Sequence, residues 1–126
     1  MMGILEKLFN LGGTREPLPE NAILIDVRSP AEFAAGHIGD AIPLPLNCLA
    51  RDIGNVVIDK STPIIVYCQS GGRSLSARRQ LLGMGYAHVI NGGGVRALAA
   101  RMKREIHPLV FPSVVPSCSR TRSAGN

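Results

Sequence analysis

The sequence predicts an α/β fold with a mainly parallel central sheet and helices on both faces. Two observations carry that prediction. Short apolar runs bounded by turn residues alternate with stretches of helix formers along the chain. That alternation is the order in which parallel strands are joined by helical crossovers. Size agrees with it. The chain has 126 residues, 45% of them hydrophobic, which is enough for one domain with a core of its own. Aromatic residues make up only 4%, so that core must be built from Ile, Leu, Val and Ala.

The elements follow in order. Residues 22–27 read as a buried strand. A short helix comes next, with Ser29 as its cap, Pro30 in its first turn and Gly36 at its end. Residues 41–46 can extend briefly, but Pro43 and Pro45 confine them to an edge or an irregular piece. Residues 47–53 give a weak helical turn and residues 58–62 a loop. Pro63-Ile64-Ile65-Val66-Tyr67 is a second buried strand and ends at Cys68. Residues 74–84 are rich in helix formers. That helix is expected to bury Leu75, Ala77, Leu81 and Leu82 and to leave Arg78, Arg79 and Gln80 outward. Gly83 and Gly85 close it. Residues 88–90 form a short strand, residues 91–94 a turn, and residues 95–104 a last helix with Val95, Leu98 and Met102 on one face.

Three segments result. Residues 1–20 are an N-terminal piece in which residues 3–9 could form a short amphipathic helix. Residues 21–104 are the folded domain. Residues 105–126 are a proline-containing tail, expected to be flexible because Pro112 and Pro116 prevent any regular element there.

Charge and cysteine usage exclude several classes. The formal net charge is +5, part of it from Arg101, Lys103, Arg104, Arg120 and Arg122 late in the chain. Nucleic-acid binding would want aromatics interleaved with such residues, and they are scarce. The excess reads as solubility and attraction for anionic small molecules. Three cysteines without a CxxC pair suggest neither a disulfide framework nor a zinc site. A reducing compartment, the cytoplasm, is the expectation. Residues 1–10 carry Glu6 and Lys7 inside their apolar stretch, unlike a signal peptide. No run reaches transmembrane length, so a membrane role is not expected.

The chemistry points to Cys68-Gln69-Ser70-Gly71-Gly72-Arg73-Ser74. A thiol stands at the end of a buried strand, before a glycine-rich loop and a helix start. The loop N–H groups from Gln69 to Arg73 can converge on one point, and Gly71 and Gly72 permit the backbone angles this requires. The helix N-terminus adds partial positive charge. A thiol in such a cradle has a lowered pKa and is nucleophilic near neutral pH. The plainer reading is an inert, buried strand-end cysteine. Two glycines and an arginine before a helix count against it. Arg73 either binds the anionic end of a substrate or points away and braces the loop, and bracing together with its field is favoured. Ser74 reads as a helix N-cap or a hydrogen-bond partner of the loop. Four residues separate Cys68 from Arg73. Cysteine phosphatases use a loop one residue longer, to wrap a tetrahedral phosphate. The shorter loop suits the outer sulfur of a persulfide.

Over residues 21–101 the chain resembles the rhodanese-like sulfurtransferases, in particular the small single-domain rhodaneses that include the phage-shock-operon type. Three blocks carry the resemblance. They are Leu24-Ile25-Asp26-Val27-Arg28-Ser29-Pro30-Ala31-Glu32-Phe33 with Gly36-His37-Ile38, the Cys68 loop, and Met84-Gly85-Tyr86 with Val89 and Asn91-Gly92-Gly93-Gly94. Two features depart from the family. Gly39 comes one position early, and Leu98 stands near the place of a frequent tryptophan.

The resemblance implies a rhodanese-like fold and a double displacement. Cys68 would take sulfane sulfur from a small anionic donor such as thiosulfate, and then pass it to cyanide, a small thiol or a protein thiol. No metal and no organic cofactor is implied. The Asp26–Arg28 pair is expected to tie loops together near the site, with Glu32 in the same network. His37 invites a general-base reading, but a thiolate held by N–H groups needs no base, and the family supports a loop-capping role. Cys48 reads as a small buried apolar residue. Two alternatives to a small-molecule enzyme stay open: a persulfide carrier serving one protein partner, recognised through Arg78 and Arg79, and a binding module that kept only the fold.

Overall fold

The computed structural model describes residues 18–108. The expectations for residues 3–9 and for the tail beyond residue 108 lie outside the described residues. In chain order the elements are β1 (Ile23–Asp26), α1 (Pro30–Ala35), β2 (His37–Ile38), β3 (Ile42–Pro43), α2 (Leu46–Val56), β4 (Ile64–Cys68), α3 (Gly72–Gly83), β5 (Val89–Gly94), α4 (Val95–Met102) and β6 (Ile106–His107). The central sheet runs β3-β1-β4-β5, and each neighbouring pair is parallel.

Successive side chains of a strand point to opposite faces, and both faces of this sheet are covered. Ile25, Ile64, Val66 and Cys68 share a core with Leu49 and Ile53 of α2 and with Ala77 and Leu81 of α3. Leu24, Ile65 and Tyr67 pack on the other side against Leu98 and Ala99 of α4. Cys68 therefore ends an interior strand, on the α2/α3 side.

Four elements differ from expectation. The weak turn at residues 47–53 is an eleven-residue helix, α2. Its residues have poor propensity, but Cys48, Leu49 and Ile53 are buried, and tertiary packing supplies what propensity lacks. In α3, Leu75 and Leu82 are 40% and 38% exposed, whereas Ser74, Ala77 and Leu81 are buried. The helix begins at Gly72, and its rotation is fixed by Ser74 facing Cys68. Positions 77 and 81 inherit that face and the two leucines turn away. The turn expected at residues 91–94 is part of β5. Here glycine serves close approach. A Cβ on Gly92 would meet Leu98 at 2.8 Å, and one on Gly94 would meet the Gln69 carbonyl oxygen at 2.8 Å.

The fourth difference concerns the segment from Glu105, expected to be flexible tail. Its first residues instead form β6. Ile106 and His107 pair antiparallel with Ile38 and His37. A Cβ on Gly36 would lie 2.9 Å from Ile106, so the glycine that ends α1 also makes room for this strand.

Candidate active site around Cys68

Three residues connect β4 to α3, and the chain turns there through Gly71. Its φ of 106° lies in the left-handed region, where only glycine sits without strain. That turn aims the Gly71 N–H back at the thiol, 2.9 Å from Cys68 Sγ. Cys68 is fully buried. Burial pushes its pKa up. The Ser74 hydroxyl and the N–H groups of Ser74, Gly71 and Ser70 pull it down and win, so the thiol sits below its ordinary value. The donors that polarise the sulfur are thus one hydroxyl and three backbone N–H groups.

Ser74 is not the helix cap, because Gly71 occupies that place. It is the loop partner instead. Its hydroxyl lies 3.6 Å from Cys68 Sγ, 3.0 Å from the Gly71 carbonyl oxygen and 2.6 Å from Asn91 Oδ1. Asn91 Oδ1 also accepts the Gly93 N–H at 2.9 Å. One hydroxyl proton therefore faces several acceptors. The sequence places Asn91 only in a turn. The signal that would have found it is its place near the carboxyl end of the strand beside β4, where sites of parallel sheets gather.

Arg73 takes the bracing role. Its guanidinium donates to both oxygens of Glu32, at 2.7 and 2.9 Å. Glu32 Oε1 also accepts the Ser29 N–H at 3.0 Å, and Ser29 Oγ accepts the Glu32 N–H at 3.2 Å, which completes a capping box at α1. The Arg73 hydrogen bonds, aided by those from Ser29, hold the Glu32 carboxyl down at about 2 against burial.

Asp26 and Arg28 form a second brace. Arg28 Nε lies 3.0 Å from Asp26 Oδ1, and its Nη2 lies 2.7 Å from Oδ2. The pair is buried, which requires complete hydrogen bonding. It has that. Nη2 also donates to the Gly36 carbonyl at 2.6 Å, and Nη1 donates to Gln69 Oε1 at 3.1 Å. The guanidinium carbon stands 5.6 Å from the centre of the Tyr67 ring. Tyr67 itself is fully buried and accepts the Ile38 N–H on its hydroxyl at 3.1 Å. Arg28 thus ties β1, the end of α1 and the cysteine loop to one another.

His37 is not brought to the sulfur by any hydrogen bond. Its Nδ1 donates to the Phe33 carbonyl at 2.9 Å, and its ring stacks on Phe33 with centroids 3.8 Å apart. Arg78, expected on a solvated face, is half-buried and donates from Nε to the Val89 carbonyl at 2.9 Å, whereas Arg79 is exposed. Cys48 is buried, but it is disulfide-bonded and not the simple apolar side chain expected of it; Cys68 is the free cysteine among the described residues. A cavity of about 400 Å³ adjoins the loop at Gln69, between Arg28 and Arg96. A larger one, about 820 Å³, lies at Leu18, Ile23 and Met102 and includes none of the loop residues. Size alone would favour the second, but only the first adjoins the cysteine loop, through Gln69, and that decides the placement.

Comparison with known proteins agrees with this geometry. Residues 12–100 match the rhodanese-like domain. A sulfurtransferase of Allochromatium vinosum is 37% identical over 94 residues, covering 74% of this chain and 82% of that protein. The thiosulfate sulfurtransferase PspE of Escherichia coli is 40% identical over 75 residues, covering 60% and 72%. Among solved structures, a rhodanese with anions from E. coli superposes with a TM-score of 0.60 at 38% identity, over 62% of this chain and 92% of that one. A thiosulfate sulfurtransferase from Pseudomonas aeruginosa gives 0.64 at 32% identity, over 69% and 17%. With a parallel sheet, a polarised cysteine at a strand end and a family match over most of its length, the chain belongs to the rhodanese-like domain family.

Proposed function

We propose that this protein is a rhodanese-type sulfurtransferase that carries sulfane sulfur on Cys68. The observation that carries the proposal is the 2.9 Å contact from the Gly71 N–H to a buried thiol whose pKa is lowered by several such donors. The names of the relatives, sulfurtransferase and thiosulfate sulfurtransferase, support the same activity.

The first half-reaction uses thiosulfate or a similar anion. The Cys68 thiolate attacks the outer sulfur, and a new S–S bond forms. The old S–S bond breaks, and its electron pair leaves with sulfite. The negative charge moves from Sγ to the transferred sulfur, and the N–H groups of the loop stabilise it there without reorganising. Two braces, Arg73–Glu32 and Arg28–Gln69, hold the loop in that geometry before substrate arrives. In the second half-reaction a thiol or cyanide removes the sulfur and restores the thiolate. Residues 21–104 together with β6 form the catalytic unit in this reading.

The test is mass spectrometry after incubation with thiosulfate. The wild-type protein gains the mass of one sulfur atom on Cys68, and Cys68→Ser gains none while keeping its circular dichroism spectrum. Equal sulfur loading of the two proteins would sink the assignment.

A further inference from the structure

We propose that the cavity beside the cysteine loop receives the sulfur acceptor, and that this acceptor is a small thiol carrying a carboxylate, held by Arg96. The proposal rests on the sulfurtransferase reading and names the acceptor class of the same site. Three observations support it.

The first is position. Gln69 lines the cavity and directly follows Cys68. Val95 and Arg96 line its other side, and they directly follow Gly94, the residue in register with Cys68 on the neighbouring strand. Gly94 approaches the loop so closely that a Cβ there would meet the Gln69 carbonyl. A ligand in the cavity is therefore next to the loop that would present the outer sulfur.

The second is charge. Arg28 lines the cavity, but its guanidinium is engaged by Asp26, Gly36 and Gln69. Glu32 also lines it, and its carboxylate is matched by Arg73. Arg96 is exposed and makes no ion pair or side-chain hydrogen bond with the described residues. It is the lining charge left over, and it is positive. The Gln69 oxygen accepts from Arg28, which leaves the amide N–H groups of Gln69 as further donors.

The third is size and texture. About 400 Å³ is a volume for a multi-atom organic ligand and far more than cyanide or thiosulfate would fill. Ala35, Val95 and Ile106 supply an apolar side for carbon atoms. An anion with a short carbon skeleton fits this combination. To take the sulfur it must also be a thiophilic nucleophile. The acceptor thiol gives its proton to the anionic outer sulfur of the Cys68 persulfide, and its thiolate sulfur attacks that outer sulfur and forms a new S–S bond. The bond from Sγ to the outer sulfur breaks, its electron pair returns to Sγ, and the product is a small-molecule persulfide plus the Cys68 thiolate.

The experiment separates this idea from the reading beneath it. Protein is loaded with thiosulfate, desalted, and checked by mass for one added sulfur. Discharge is then followed with mercaptoacetate and with 2-mercaptoethanol in wild type, Arg96→Lys and Arg96→Gln. The ratio of kcat/KM for the two thiols falls about fivefold in Arg96→Gln, the effect of losing one exposed ion pair, and is largely kept in Arg96→Lys. An unchanged ratio, or a loss confined to the loading step, overturns the assignment. A second measurement does not depend on sulfur transfer. S-methylmercaptoacetate slows alkylation of Cys68 by iodoacetamide in the wild type and does so less in Arg96→Gln. No protection in the wild type also overturns the assignment, whereas failure to load sulfur would count against the sulfurtransferase reading alone.

Discussion

Arg73 and Glu32, 41 positions apart in the chain, face each other fork to fork at 2.7 and 2.9 Å. The arginine at the end of the cysteine loop therefore points its charge at a carboxylate of α1 and is neutralised there. What lowers the Cys68 pKa against burial is the Ser74 hydroxyl together with the N–H groups of Ser74, Gly71 and Ser70. The pair works as a clamp that joins the Glu32 end of the α1 capping box to the first turn of α3.

That clamp is acid-labile in a definite window. The Glu32 carboxyl is held down at about 2 in the folded protein, against an unfolded value of about 4.3. A depressed carboxyl stabilises the fold fully above its unfolded pKa, and that contribution is lost as pH falls through the folded one. The two side chains are 39% and 33% exposed, so the worth is modest, at most about 1 kcal/mol. Thermal melting of wild type and Glu32→Gln at pH 6 should differ by a few degrees, and the gap should close between about pH 4 and pH 2. Arg73→Lys, which keeps the charge but loses the fork, should slow sulfur loading several-fold at pH 7. Loading as fast as in the wild type would show that the clamp does not set the loop.

The second prediction concerns the proton on Ser74. Its hydroxyl is 2.6 Å from Asn91 Oδ1 and 3.6 Å from Cys68 Sγ, and it has one hydrogen to give. The thiolate and the amide oxygen compete for it. Ser74→Ala removes a donor to the thiolate and should raise the Cys68 pKa. Asn91→Ala removes the competitor and should lower it. The rate of iodoacetamide alkylation against pH reads both. The wild-type midpoint should lie below the usual value of about 8.5. Shifts of the same sign in the two variants would show that Asn91 positions the hydroxyl and does not compete for its proton.

Much of this site could be read along the chain because its parts are contiguous. Cys68 through Ser74 span a strand end, a loop and a first helical turn, and each has its own local signature in apolar, glycine or helix-forming residues. The two braces were legible as residues but not as pairs. Nothing in the spacing says that Arg73 finds Glu32, or that Arg28 reaches Gln69, because those contacts exist only once β1 and β4 lie side by side. The glycines at residues 92–94 misled for a related reason. Glycine marks both turns and places where another backbone comes close, and only the packing of β5 against the Gln69 carbonyl separates the two. Leu75 and Leu82 misled because α3 is set at its first turn with Ser74 against Cys68, which puts Ala77 and Leu81, and not its two other leucines, on the buried face.

The third prediction tests β6. Ile106 is only partly covered, yet it packs on Gly36 and pairs with Ile38. Chains ending after Pro108 and after Arg104 differ by this strand. Removing it should cost roughly 1 kcal/mol of stability, from a partly buried isoleucine and the hydrogen bonds of a two-residue pairing. The shorter chain should melt about 4–8 °C below the longer one and still fold. Identical melting temperatures would mean that β6 contributes nothing to the domain.

The last prediction is selectivity for sulfur over phosphate, and it follows from loop geometry. Four residues lie between Cys68 and Arg73. The loop turns tightly at Gly71, whose N–H comes within 2.9 Å of Sγ, and Arg73 is drawn away to Glu32. A phosphoryl group needs a ring of donors wide enough for its non-bridging oxygens and an arginine free to grip them. This loop offers neither. It offers a small cradle of N–H groups, which suits one polarizable sulfur atom bearing a single negative charge. Wild-type protein assayed with thiosulfate plus cyanide should form thiocyanate. At matched concentration an aryl phosphate should give no release that depends on Cys68. Inserting a glycine between Ser70 and Gly71 should widen the loop, carry the Gly71 N–H away from Sγ, and slow persulfide formation by at least about tenfold, the usual scale for misplacing one preorganised donor. Cys68-dependent phosphate release at a rate comparable to thiocyanate formation would overturn the loop-length argument, and an insertion that leaves sulfur loading unchanged would show that the Gly71 contact is not what stabilises the transferred sulfur.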